Sequence, residues 1–228
     1  MFDTAKSVLL VLSALFPIVD PLGGAPIFLA LTRDNTGPER RTLSWRISVN
    51  SFFLLVGSYL IGTHVLSFFG ISIPVVQVGG GLLVTATGWA MLNRPYDDDQ
   101  DNERTQTHKD MRAKDPLAHA FYPLTLPLTV GPGSISVAIT LGANNPHPHG
   151  FHLLAILAAV IGSALIGVSI FLCYAFADKL ARTLGKTGMT VFLQLSSFLL
   201  LCIGVQIFWN GASALLASVL ASASQAAH

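Results

Sequence analysis

Phe16-Pro17-Ile18-Val19-Asp20-Pro21-Leu22-Gly23-Gly24-Ala25-Pro26 is answered 106 residues later by Tyr122-Pro123-Leu124-Thr125-Leu126-Pro127-Leu128-Thr129-Val130-Gly131-Pro132. All three prolines keep register: Pro17 with Pro123, Pro21 with Pro127, Pro26 with Pro132. Proline removes a backbone donor and its ring clashes with the carbonyl four residues back, so three prolines this close together cannot sit in one continuous helix. Each copy lies in a stretch apolar enough to enter a bilayer, and lipid cannot pair the polar backbone that a broken helix frees. Breaks at membrane depth persist where they line a cavity, and paired breaks in two repeats point to a transporter's binding site.

The charge distribution supports a membrane setting. Charged residues make up 11% of the 228, against roughly 25% in a soluble domain. None occurs from Ile47 to Asn93, from Pro116 to Ala177, or from Thr187 to the end, and Asp20 is alone between Ser7 and Thr32. About 20 apolar residues span the hydrocarbon core, so the two internal uncharged runs each hold two spans and the chain holds six. The expected helices are 5–31, 43–69, 74–93, 117–142, 151–178 and 190–217, with helices 1 and 4 broken. The first apolar run leads into the proline motif without a small-residue cleavage pattern, so it reads as a retained helix. Cys173 and Cys202 fall inside spans and read as small apolar residues, without a disulfide framework or a metal site.

Basic residues set the expected orientation. Arg33, Arg40, Arg41 and Arg46, then Arg94, Arg104, Lys109, Arg112 and Lys114, then Lys179, Arg182 and Lys186 lie on one side, against Lys6 on the other. Loops rich in Lys and Arg stay cytoplasmic, which puts both termini outside the cytoplasm. The acidic run of Asp97, Asp98, Asp99, Asp101 and Glu103 reads as a solvated loop. Trp45, Trp89, Trp209 and Tyr96 near span ends read as interfacial anchors.

Gln77 pairs with Gln194, Leu82-Leu83 with Leu199-Leu200, and Asn93 with Asn210, at an offset of 117. The shift from 106 places about eleven extra residues between helices 5 and 6. The division is a first three-helix repeat (1–93), an acidic cytoplasmic linker (94–116), a second repeat (117–217) and a flexible tail (218–228). An odd number of crossings makes the second repeat enter from the opposite side, so the repeats are inverted and the substrate site falls near the midplane, where the two broken helices meet.

The chemistry at the breaks follows from backbone. Gly23 and Gly24 permit angles other residues resist, and Pro26 suits the first turn of a resumed helix. In the second copy Thr129 can cap, and Gly131, Pro132, Gly133 and Ser134 open the next segment. Helix starts present unpaired N–H groups that bind anions such as a carboxylate. The expected binding residues are therefore Asp20, Pro21, Gly23, Gly24, Thr129, Gly131, Gly133 and Ser134. Asp20 has two readings: an ionisable group inside the membrane that receives an ammonium or carries a proton, or a structural residue that caps the helix resuming after Pro21 or stays solvated near an interface. Asn50, Gln77 and Gln194 are secondary candidates, and with Gln206 they also suit interhelical hydrogen bonds. His147, His149 and His152 lie in a Pro/Gly-rich external turn and read as an exposed loop.

These stretches carry a resemblance. Asp20 to Phe28, Phe69-Gly70-Ile71-Ser72-Ile73-Pro74, Pro127 to Ile135 and Gly204 to Gly211 are similar to the MarC family of integral membrane proteins, within the broader LysE-like exporter group. The resemblance implies six helices, periplasmic termini and kinship with an ion-gradient-driven transporter of glycine and alanine. The expected partners are a small-molecule substrate, a coupling ion (H+ or Na+) and the lipid bilayer, with no nucleic acid and no cofactor; assembly into a homo-oligomer is left open. The alternative is an efflux protein for other small metabolites or drugs. An enzyme is not expected, since the chain has no nucleophile elbow, no His-Glu-x-x-His and no intramembrane pair of carboxylates.

Overall fold

A computed structural model describes residues 2–32, 35–93, 120–143 and 152–226. All elements among them are helical: α1 (Phe2–Val19), α2 (Pro21–Leu31), α3 (Gly37–Phe68), α4 (Ile73–Leu92), α5 (Ala120–Thr129), α6 (Pro132–Ala143), α7 (His152–Ala175) and α8 (Ala177–Ala226). The acidic loop, Tyr96, His147 and His149 lie outside the described residues. Five helical stretches are long and apolar enough to cross a membrane, Ala5–Leu31, Gly37–Phe68, Ile73–Leu92, Leu154–Ala175 and Thr187–Ser222; α5 and α6, bent by 70°, make a sixth if taken as one span.

The outer surface is apolar along its length. Leu9, Phe53, Phe68, Leu82, Leu199 and Leu220 are all more than half exposed. A soluble protein does not carry apolar surface on that scale, whereas lipid solvates it. Inside, Val11, Leu15 and Phe28 of the first span meet Ile47 and Leu55 of α3, Val130, Val137 and Ala138 around the fourth span, and Ile166, Ile170 and Tyr174 of α7.

Small residues set the packing. A Cβ on Gly88 would sit 2.7 Å from Leu201 N, one on Gly211 would sit 2.6 Å from Pro74 O, and those on Gly81 and Gly204 would strike the backbones of Phe208 and Thr85. The pairs 74/211, 81/208 and 88/201 run in opposite directions, so α4 and α8 cross antiparallel at backbone contact, as small residues permit between membrane helices. Helices α3 and α7 are antiparallel too. The Ser48 hydroxyl donates to Gly167 O, Trp45 meets Phe171 edge-on with ring centroids 5.8 Å apart, and Arg40 Nη1 lies 2.7 Å from Asp178 Oδ2.

The elements differ from the sequence expectations in places. Of the two starts expected for the helix after the first break, the structure has Pro21, and Pro26 lies inside α2. Pro21 disfavours the right-handed helical region for the residue before it, so the interruption falls one residue earlier, at Asp20. The stretch 179–189, read as a loop, is largely helical: α8 begins at Ala177 and is kinked at Gly185 (φ 65°, ψ 178°) before the last span. That helix continues to Ala226, past residue 218, where the flexible tail is expected to begin.

Candidate functional site

Asp20 holds the first interruption. Its backbone is left-handed (φ 42°, ψ 64°), a conformation a short polar side chain tolerates better than an apolar one. The Gly23 N–H donates to Asp20 Oδ1 at 3.1 Å, and the Gly24 N–H to Asp20 O at 2.9 Å. The carboxylate therefore caps α2, and it folds over Gly23 closely enough that a Cβ there would collide with it. Gly23 serves as room for the cap. The second oxygen, Asp20 Oδ2, is buried and has no hydrogen-bond partner among the described residues.

The second interruption is built differently. Pro123 and Pro127 cannot donate, and Tyr122 and Leu126 are extended (φ −124° and −116°), which widens the turn. Hydroxyls replace the lost backbone bonds. Thr125 Oγ1 donates to Ala120 O at 2.6 Å and Thr129 Oγ1 to Leu124 O at 2.7 Å, each reaching five residues back. The Val130 N–H makes the same reach to Thr125 O at 2.8 Å. Thr129 was a candidate cap for the next segment; its hydroxyl instead bonds backward to Leu124 and sideways to Tyr174. Asn50 of α3 donates to Thr125 Oγ1 at 3.4 Å.

Tyr174 joins the two interruptions. It is 1% exposed, its ring stacks on Phe28 of α2 (centroids 4.7 Å apart, 11° between planes), and its hydroxyl lies 3.0 Å from Thr129 Oγ1. Thr129 spends its single proton on Leu124 O, so Tyr174 is the donor in that pair. A Cβ on Gly24 would lie 2.5 Å from the Tyr174 oxygen, so Gly24 makes the space the phenol occupies. One side chain from α7 thus touches the first turn of α2 and the last residue of α5.

The remaining candidates divide. Pro21 is buried at the start of α2. Ser134 is buried in the first turn of α6, and Gly131 stands at the bend with Pro127 O 3.3 Å from where a Cβ would be. Gly133 faces α4, where a Cβ would strike a Val84 methyl, so it serves a helix crossing. Gln194 is exposed on α8. Gln77 lines a cavity of about 220 Å3 between α1, α4, α6 and α8, together with Ser13, Pro17, Thr140, Ile207 and Asn210. Tyr174 and Asn210 are absent from the sequence-derived site. A tyrosine inside an uncharged run is a usable signal, because a buried phenol needs a partner.

These features define a polytopic helical membrane protein whose two helix interruptions are pinned together by one buried tyrosine. The chain belongs to the MarC family of integral membrane proteins, whose family model matches residues 5–216. It is 33% identical over 213 residues to the inner membrane protein MarC of Salmonella typhimurium, covering 92% of this chain and 96% of that one. With the MarC proteins of Citrobacter koseri and Escherichia coli (strain ATCC 8739) the identity is 33% over 214 residues and 32% over 213, at the same coverage. No solved structure matches.

Proposed function

We infer that the chain is a secondary transporter of small neutral amino acids, glycine- or alanine-like, driven by an H+ or Na+ gradient across the inner membrane. It crosses six times as two inverted three-helix units, with both termini in the periplasm. Inversion is supported by the packing: α3 and α7, which correspond in the two units, run antiparallel, and so do α4 and α8. The contact of Arg40 with Asp178 brings the first and last basic loops to one end, as the charge rule requires for a common cytoplasmic face.

The observation that carries the transport reading is the bridge between the two breaks. Gly24, Tyr174 and Thr129 form one buried cluster, tied to Asp20 through the Gly24–Asp20 backbone bond, at the places where both helices are interrupted, and interrupted helices in paired repeats are how transporters build midplane sites. Asp20 Oδ1 caps while Oδ2 is left over, which leaves one oxygen for an ammonium or a proton.

The test is uptake of radiolabelled glycine and alanine into proteoliposomes under an imposed proton or sodium gradient, with Tyr174→Phe as the comparison. That variant removes one oxygen and preserves the ring stack. Gradient-driven uptake that falls in Tyr174→Phe supports the reading. Absence of uptake by folded, inserted wild-type protein rules out these substrates and shifts the balance to efflux of other small metabolites or drugs.

A further inference from the structure

The cavity between α1, α4, α6 and α8 has chemistry of its own. Its walls are mostly aliphatic, and no charged side chain lines it. The hydroxyls of Ser13 and Thr140 are committed to carbonyls of their own helices, Leu10 O at 3.1 Å and Ser136 O at 2.9 Å. The carboxamides are left. Asn210 Oδ1 accepts from Gln206 Nε2 at 2.9 Å, while Asn210 Nδ2 and the whole Gln77 amide have no partner among the described residues. Pro17, one turn before Asp20, forms part of the same wall, so the cavity abuts the first interruption.

An apolar pocket with a few convergent polar groups is the usual form of a small-molecule site. A volume of about 220 Å3 is well above the roughly 10–15 Å3 that a single water needs, enough for a solute of a few heavy atoms. Without a charged wall the pocket favours a solute of zero net charge. The Gln77 amide and Asn210 Nδ2 offer both donors and an acceptor, which matches a carboxylate and an ammonium carried on one small body.

The geometry points to this cavity as a recognition pocket for a short-side-chain α-amino acid, held by the carboxamides of Gln77 and Asn210. The choice of ligand rests on the transport reading above; the pocket itself rests on its lining. Pro17 and Ile207 supply the apolar contacts, and the ligand sits on the N-terminal side of the Asp20 interruption.

The experiment reads binding independently of transport. In protein whose native cysteines are replaced (Cys173→Ala, Cys202→Ala), Ile207→Cys is labelled with a charged methanethiosulfonate in detergent, with saturating glycine, L-alanine or glycerol, or none. The expected result is labelling slowed by either amino acid and unaffected by glycerol. In the same background, Gln77→Leu or Asn210→Leu is expected to raise the half-protecting concentration about tenfold, the effect of losing one to two hydrogen bonds. Labelling equally fast with and without amino acid overturns the pocket, and so does no labelling at all. If uptake persists in the same protein, the transport reading survives that failure. Protection without uptake leaves the pocket standing and removes the transport reading.

Discussion

At Gly24 the absent side chain is what the packing requires. The Tyr174 oxygen occupies the volume a methyl group would fill, 2.5 Å from that position, and the nearest ring carbon is 3.3 Å away. Gly24→Ala is therefore expected to destabilise the protein by about 1–3 kcal/mol through overpacking. Tyr174→Phe is expected to cost about 0.5–1.5 kcal/mol for its hydrogen bond. The double variant should be more stable than the sum of the two, since the lost oxygen makes room for the new methyl; thermal midpoints of the four proteins close the cycle, and strict additivity would refute the contact. Asp20 invites a second comparison. Asparagine caps helices as well as aspartate, so Asp20→Asn should leave the thermal midpoint nearly unchanged. If Asp20 also carries the coupling proton, the same variant loses the pH dependence of uptake, and a retained profile reduces Asp20 to a cap. Much of this was legible in the sequence, because a lone carboxylate and a Gly-Gly pair stand out in an apolar run. Their occupants were not. Gly23 and Gly24 stood among the expected binding residues, whereas the Asp20 carboxylate and the Tyr174 phenol fill the space beside them, and Tyr174 belongs to no motif.

The spans were legible as elements because membrane insertion makes charge expensive, so uncharged runs and proline breaks mark them directly. The start of α8 was not. Lys179, Arg182 and Lys186 suggested a loop, yet charged residues such as Lys179 and Arg182 are equally well solvated on a helix, and Gly185 with its positive φ marks the kink. The two proline motifs, alike in sequence, also fold unlike each other. The first resumes at Pro21 under an aspartate cap, while the second has leucine at the matching position and resumes at Pro132 after a widened turn. The helix crossings supply a sharper prediction. Gly88→Leu should abolish detergent-stable folding, since its side chain would enter the α8 backbone, whereas Gly57→Ala meets open space and should be neutral or gain up to about 1 kcal/mol from the lower flexibility of alanine. Size-exclusion profiles of the two variants separate these outcomes, and a monodisperse Gly88→Leu protein would contradict the packing.

Across the whole molecule, Arg40 is the long-range connector. Its guanidinium donates to Asp178 Oδ2 at 2.7 Å and to Thr32 O at 2.9 Å, tying the end of the first span, the start of α3 and the α7–α8 junction. Asp178 is about half exposed, so the ion pair itself contributes within the range of about 0–1 kcal/mol seen for such pairs. Arg40→Ala should lower the thermal midpoint modestly, and high salt should reproduce part of the effect in the wild type; an equal response to salt in both proteins would assign the loss to the carbonyl contact instead. The glycine seam between α4 and α8 has a mechanical consequence. Packed helices slide past one another when side chains at their contact change rotamer. Where Gly81, Gly88, Gly204 and Gly211 bring backbone against backbone, no rotamer exists to change. The two helices are thereby fused into a single stiff beam, and any movement of this protein must pivot around that beam, leaving it intact.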